Sequence, residues 1–135
     1  MTCRASTTTL RRRLGLRAGC TPATPSFAFS GFLLRSRVLH ATVLQCRGAY
    51  AAAIQELTTC GEEAEGQGWA ALAAFAYQHR GKVFYDTDDF VNARADFKRA
   101  LFLRQEAGAP EDELESTLVA IEAAERRRSG APVAS

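Results

Sequence analysis

No aspartate or glutamate occurs before Glu56, although the chain of 135 residues carries 15 of them. Residues 1–55 hold eight arginines and no acid, so the two parts carry +8 and −6, an asymmetry that the net charge of +2 conceals. Lysine is scarce too, two against 15 arginines, which reads as coding bias rather than as a nucleic-acid signal. Long apolar runs are missing. The stretch "FAFSGFLL" is eight residues, far short of the roughly 20 that a membrane-crossing helix needs. Cys3, Cys20, Cys46 and Cys60 lie far apart along the chain with no C-x-x-C pair, which suits neither a zinc site nor a disulfide scaffold. Cys46 and Cys60 fall at helical positions among small apolar residues, where a free thiol behaves as a small hydrophobe. The two histidines, His40 and His79, have no Cys, Asp or Glu at ligand spacing. Neither paired catalytic carboxylates nor a phosphate loop can be found. These absences speak against an enzyme, a metal site or a cofactor.

What is present divides the chain. Residues 1–31 are rich in Thr, Ser, Arg and Pro without a sustained apolar period. They are expected to be a disordered basic leader or a non-native extension, with a mitochondrial-type transit peptide as the alternative. The lipoprotein-like "LGLRAGC" is interrupted by Arg17, and the paired arginines of "LRRRLGL" are not followed by a hydrophobic segment. A helical domain is expected over 32–130, a disordered tail over 131–135, and a cytoplasmic location unless the leader directs the chain to mitochondria.

From about Leu34 helical periods take over. "LLRSRVLHATVLQCRG" and "AYAAAIQELTTC" read as two helices joined at Gly48, with Gly61 ending the pair. "GWAALAAFAYQHRGKVFY" reads as a third and "TDDFVNARADFKRALFLRQEAG" as a fourth after the "DTDD" turn. The last, "PEDELESTLVAIEAAERRR", starts at Pro110 with acids in its first turn and ends in Arg126, Arg127 and Arg128, matching the helix dipole. Five helices and no strand make the class all-α. Short links force antiparallel hairpins. Tyr77, Gly81 and Phe84 share one stripe, and Phe90, Ala93, Phe97, Ala100 and Leu101 another. Gly81 facing Ala93 would let the two helices approach closely. On the last helix, Leu114, Leu118 and Ile121 are expected to face "FKRALFLR".

These residues carry a resemblance. "AYQHRGKVFYDTDDFVNARADFKRALFLR" resembles the tetratricopeptide repeat, with Tyr77, Gly81, Phe84, Ala93, Phe97 and Ala100 at that family's intervals. Arg80 stands where the pattern has leucine, and Gln105 where it has proline. An internal copy supports it: "DDFVNARADFKRA" aligns with "GAYAAAIQELTTC", Asp88 on Gly48 and Ala100 on Cys60, an offset longer than the family's own repeat. The resemblance implies a short solenoid of stacked hairpins with a capping C-terminal helix. It also implies a concave groove lined by the first helix of each hairpin. Here that face would carry Arg35, Val38, Thr42 and Gln45 from one hairpin and Phe75, Gln78, Lys82, Tyr85 and Asp86 from the next. Some family members grip a partner's C-terminal carboxylate with Lys, Arg and Asn; Lys82 and Arg35 are present and the asparagine is not.

The expected function is non-enzymatic binding of a protein or peptide in that groove, with self-association supplying further stability. The competing class is a nucleic-acid or acidic-surface binder that uses the basic arm "RRRLGLR". The part from Glu56 onward, at −6, would repel a polyanion.

Overall fold

The computed structural model describes residues 27–130. The chain divides into two units, Met1–Leu33 and Leu34–Ser135, and the second is the one described below. Five α-helices and no strand occur among the described residues: α1 Phe27–Cys46, α2 Tyr50–Gly66, α3 Ala70–Asp86, α4 Phe90–Glu106 and α5 Glu111–Arg128. Residues 1–26 of the leading segment, with the arm Arg11–Arg17, Cys3 and Cys20, and the tail 131–135 lie outside the described residues; Phe27–Gly31, expected in that segment, form the start of α1. α1 begins at Phe27, earlier than the Leu34 at which its period becomes readable. No proline interrupts the sequence between Pro25 and Pro110.

One turn is used four times. Residues 48, 68, 88 and 108 are evenly spaced, and each takes a left-handed backbone, with φ of 79°, 77°, 63° and 69°. At every one of them the next residue's N–H donates to the carbonyl four residues before the left-handed residue: Ala49 to Leu44, Trp69 to Ala64, Asp89 to Phe84 and Ala109 to Arg104, at 2.8–2.9 Å. The left-handed residue donates to the carbonyl three back, as in Gly48 to Gln45 and Asp88 to Tyr85. This double closure satisfies the orphan carbonyls of a helix end and reverses the chain within three or four residues. Three of the four positions are glycine, for which the left-handed region carries no Cβ penalty; the fourth is Asp88. Asp89 then caps α4 by accepting from the Asn92 N–H.

Gly61 does not end a helix. It lies inside α2 with the Tyr77 ring of α3 against it, where a Cβ would come within 2.7 Å of Cζ. Gly81 lies inside α3 in the same relation to Phe97 of α4, where a Cβ would meet ring carbon Cε1 at 2.6 Å. Phe97 rather than Ala93 is therefore what Gly81 makes room for. Both pairs have the same separation in sequence, and the second is the first moved along by one helix and one turn. The same contact thus joins α2 to α3 and α3 to α4.

The core runs from Leu34, Val38 and Ala41 through Ala53, Leu57, Cys60, Ala73 and Tyr77 to Ala100 and Leu103. Ala93, Phe97, Ile121 and Ala124 continue it toward α5. α5 packs on α4, but through Thr117, Ile121 and Ala124; Leu118, expected on that stripe, is exposed. Thr117 fits because its hydroxyl donates to the Glu113 carbonyl and accepts from Arg104. Cys60 is buried as expected, and burial pushes its thiol up to about 11. Cys46 is exposed instead, since it sits on the outer side of α1.

Arg80, where the repeat pattern has leucine, joins three helices. Its guanidinium donates to both carboxylate oxygens of Asp96 on α4 at 2.7 Å and to the Thr58 hydroxyl on α2 at 2.9 Å. It also stacks on Tyr77. Other pairs join the remaining helices: Arg37 to Glu56 and Glu63, Arg99 to Glu65, Arg94 to Glu125. The architecture is all-α and repeat-like, with α2, α3, α4 and α5 each packed on the next.

Candidate functional site: the open face of α3

Toward α1 and α5, α3 turns the aromatic and cationic residues singled out by the sequence. At its start, Phe75 is half-buried under the Arg35 guanidinium, 4.4 Å from the ring centroid, with His79 edge-on at 4.7 Å. At its end, the Gln45 amide of α1 donates to the Asp86 carboxylate at 2.6 Å. Tyr85 packs edge-on against Phe90, and Arg127 of α5 stands over both rings. Lys82 is exposed between the two ends.

A hollow occupies each end. One, about 380 Å³, has Phe97, Tyr85, Ala120 and Ala123 as its apolar walls and Gln45, Lys82 and Asp86 at its rim. The other, about 490 Å³, is walled by Trp69, Leu72 and Phe75, with Arg35, Arg104 and Glu113 at its edge. Arg35, Lys82 and Arg104 have no carboxylate side chain within ion-pair distance among the described residues. Arg104 is nevertheless fixed, donating to the Glu113 carbonyl at 3.1 Å. His79 lies among these cations. Burial first, and then the charges of Lys82, Arg104 and Arg35, push its imidazolium down to about 4, so it is neutral near pH 7.

Not every expected groove residue is on the surface. Val38 is enclosed in the core and offers a ligand nothing. Gln78 is buried as well, and its Oε1 finds no hydrogen-bond donor among the described residues. Both follow from α1 and α3 packing side by side, which takes one edge of each expected stripe into the interior. Thr42 is half-buried and bonded to its own helix through the Val38 carbonyl. Arg35 and Phe75 are brought together at the start of α3, and Gln45, Lys82, Tyr85 and Asp86 toward its end. His79, Arg104 and the alanines of α5 are additions. The hairpin register could have found Ala123, which falls on the position of Val43 and Val83; Arg104 gives no such signal.

Among the described residues no three His, Cys, Asp or Glu side chains gather closely enough to hold a metal ion, and no described helix is long and apolar enough to cross a membrane. Comparison with protein-family models, with curated proteins and with solved structures found no match to this chain.

Proposed function

We propose that the chain is a non-enzymatic interaction module, a short solenoid of the tetratricopeptide kind with two hairpins and a capping helix. Its ligand is an extended segment of a protein partner, lying along the open face of α3. The observation that carries this reading is the pair of apolar-walled hollows at the two ends of that face, with exposed Lys82 at the rim of one of them. Concave, mostly apolar hollows with a few convergent polar groups are the usual form of a recognition site. The geometry also sets a spacing. Phe75 and Tyr85 are ten residues apart on one helix, about 15 Å at 1.5 Å per residue. An extended chain covers that distance in about five residues at 3.3 Å each. The ligand therefore carries two apolar anchor side chains four or five residues apart.

A peptide panel tests this. Peptides with two leucine or phenylalanine anchors at spacings from two to eight residues are titrated by fluorescence anisotropy against the full chain. Binding should peak at four or five. Tyr85→Ala and Lys82→Glu should each weaken it roughly tenfold or more, since aromatic and cationic anchors carry much of an interface's energy. The control Lys98→Glu, an equal charge change on the outer side of α4, should leave it unchanged. Equal weak binding at all spacings, or loss with the control alone, would remove the reading.

A further inference from the structure

The alignment of Gly48 with Asp88 gives each helix of one hairpin a counterpart in the next, so the burial of equivalent positions shows where the row of helices stops short. Val38 of α1 and Gln78 of α3 are equivalent and buried, at 0% and 5% exposure; their counterpart on α5 is Leu118, which is 51% exposed. Val83 of α3 is fully buried, and its counterpart on α1, Val43, is 46% exposed. A position that is interior in the middle of the row is thus apolar and open at each end. Leu39 lies beside Val43, and Val119 beside Leu118; both are also exposed.

The two open faces differ in charge. Around Leu118 and Val119 stand the exposed carboxylates of Glu111, Glu115 and Glu122, of which Glu122 has an ion pair only within its own helix. Beside Leu39 and Val43 stands exposed Arg47, and the sequence from 27 to 55 holds no acid at all. A face cannot pair well with its own copy when the charges at its rim are alike, whereas the two different faces are complementary. Parallel packing, the relation of α1 to α3 within the chain, where Arg35 meets Phe75 near the two starts and Gln45 meets Asp86 at the two ends, would set Val43 against Leu118. It would also bring Arg47, four residues after Val43, to Glu122, four residues after Leu118.

We propose that copies of this chain associate head to tail, the Leu118/Val119 face of α5 on one copy covering the Leu39/Val43 face of α1 on the next. Such a heterologous contact adds subunits in a row or closes them into a ring. It supplies from a second copy the neighbour that each terminal helix lacks among the described residues, and repeats of this kind are stabilised chiefly by neighbours.

The test uses the full chain and two variants, Val43→Asp and Leu118→Asp, each placed on a half-exposed side chain so that the circular dichroism should not change. By light scattering after gel filtration, the wild-type mean mass should rise with concentration and fall back as salt is raised, because the rim contacts are screened. Each variant alone should stay at the monomer mass. Mixed, they should double it, because the intact α5 face of Val43→Asp meets the intact α1 face of Leu118→Asp. A wild-type chain that remains monomeric into the sub-millimolar range overturns the proposal. So does a variant that still dimerises alone, which would mean that one face pairs with itself, and so does a mixture that stays monomeric.

Discussion

Replacing Arg80 by methionine should destabilise the protein by about 2–4 kcal/mol, and removing its partner at the same time should restore most of that loss. The reasoning starts from exposure. Asp96 is 5% exposed, and its carboxylate receives two guanidinium N–H groups at 2.7 Å. Methionine keeps the apolar stem and its contact with the Tyr77 and Phe84 rings, so the variant isolates the charge. What remains is a buried carboxylate without a counter-ion, together with a Thr58 hydroxyl that has lost its donor. Breaking a fully buried pair costs about 3–5 kcal/mol. The Arg80 side chain retains 20% exposure, so water reaches the site and the lower range applies.

Asp96→Leu alone strands the cation instead, which can turn toward solvent, and should cost less, about 1–3 kcal/mol. The double variant, Arg80→Met with Asp96→Leu, leaves no unpaired charge and should lie within about 1.5 kcal/mol of the wild type. The double-mutant cycle therefore has a coupling energy of at least about 1.5 kcal/mol. Urea unfolding followed by circular dichroism gives all four stabilities, provided the slope with denaturant is unchanged. A single Arg80→Met loss below about 1 kcal/mol, or a double variant that costs the sum of the singles, would refute the claim that this pair joins α2, α3 and α4.

Three further outcomes follow from the turns, the close contacts and the buried imidazole. Asp88→Gly should raise the stability by roughly 1 kcal/mol, because Asp88 is the one left-handed non-glycine residue among the described residues; an unchanged melting temperature would count against that strain. Gly81→Ala should cost about 1–3 kcal/mol, since the added methyl would meet the Phe97 ring; shortening the ring in Gly81→Ala with Phe97→Leu should recover part of it. His79 has its folded pKa depressed to about 4 from 6.5. The unfolded chain therefore takes up its proton first, so stability is full above pH 6.5, falls between pH 6.5 and 4, and levels off below. The ring is only partly enclosed, so solvent screening reduces the effect and the loss should be roughly 1–3 kcal/mol. His79→Gln should flatten that part of the profile measured by urea unfolding.

Much of the fold was legible because its signals are local. Gly48, the "DTDD" segment and Pro110 fix three of the chain reversals, and Ala93, Phe97 and Ala100 declare the inner side of α4 by spacing alone. The rotation of α5 was not legible. Leu114, Leu118 and Ile121 form the more hydrophobic stripe, yet the protein buries Thr117, Ile121 and Ala124. The two choices share Ile121 and differ by a modest turn about the helix axis. What decides between them is clearance against α4: Arg104 reaches across to the Thr117 hydroxyl, a contact that no hydropathy pattern contains. The candidate site divides in the same way. Phe75, Lys82 and Tyr85 are visible as one stripe, whereas the burial of Val38 and Gln78 depends on how closely α1 and α3 lie, which is a property of the pair rather than of either helix.

The period is only half legible in the sequence. Aligning Gly48–Cys60 with Asp88–Ala100 sets a repeat as long as a whole hairpin, and a resemblance to a pattern of about 34 residues then has to accommodate several extra positions. The left-handed residues recur at half that interval, and so do the glycine–aromatic pairs Gly61–Tyr77 and Gly81–Phe97. A helix of 17 residues and the short reversal after it make that unit. The single-helix period is faint in sequence because only the turn residue and the two packing positions recur, while neighbouring helices otherwise differ in which face is wet. It has a mechanical consequence. If the junction within a hairpin and the junction between hairpins use the same contact, neither is a natural hinge, and opening α2 from α3 should cost about as much as opening α3 from α4. Hydrogen exchange should then show α2, α3 and α4 protected as one cooperative unit. Early exchange of α1 and α2 together, with α3 and α4 still protected, would show instead that the hairpin is the unit and that the shared contact is only a geometric coincidence.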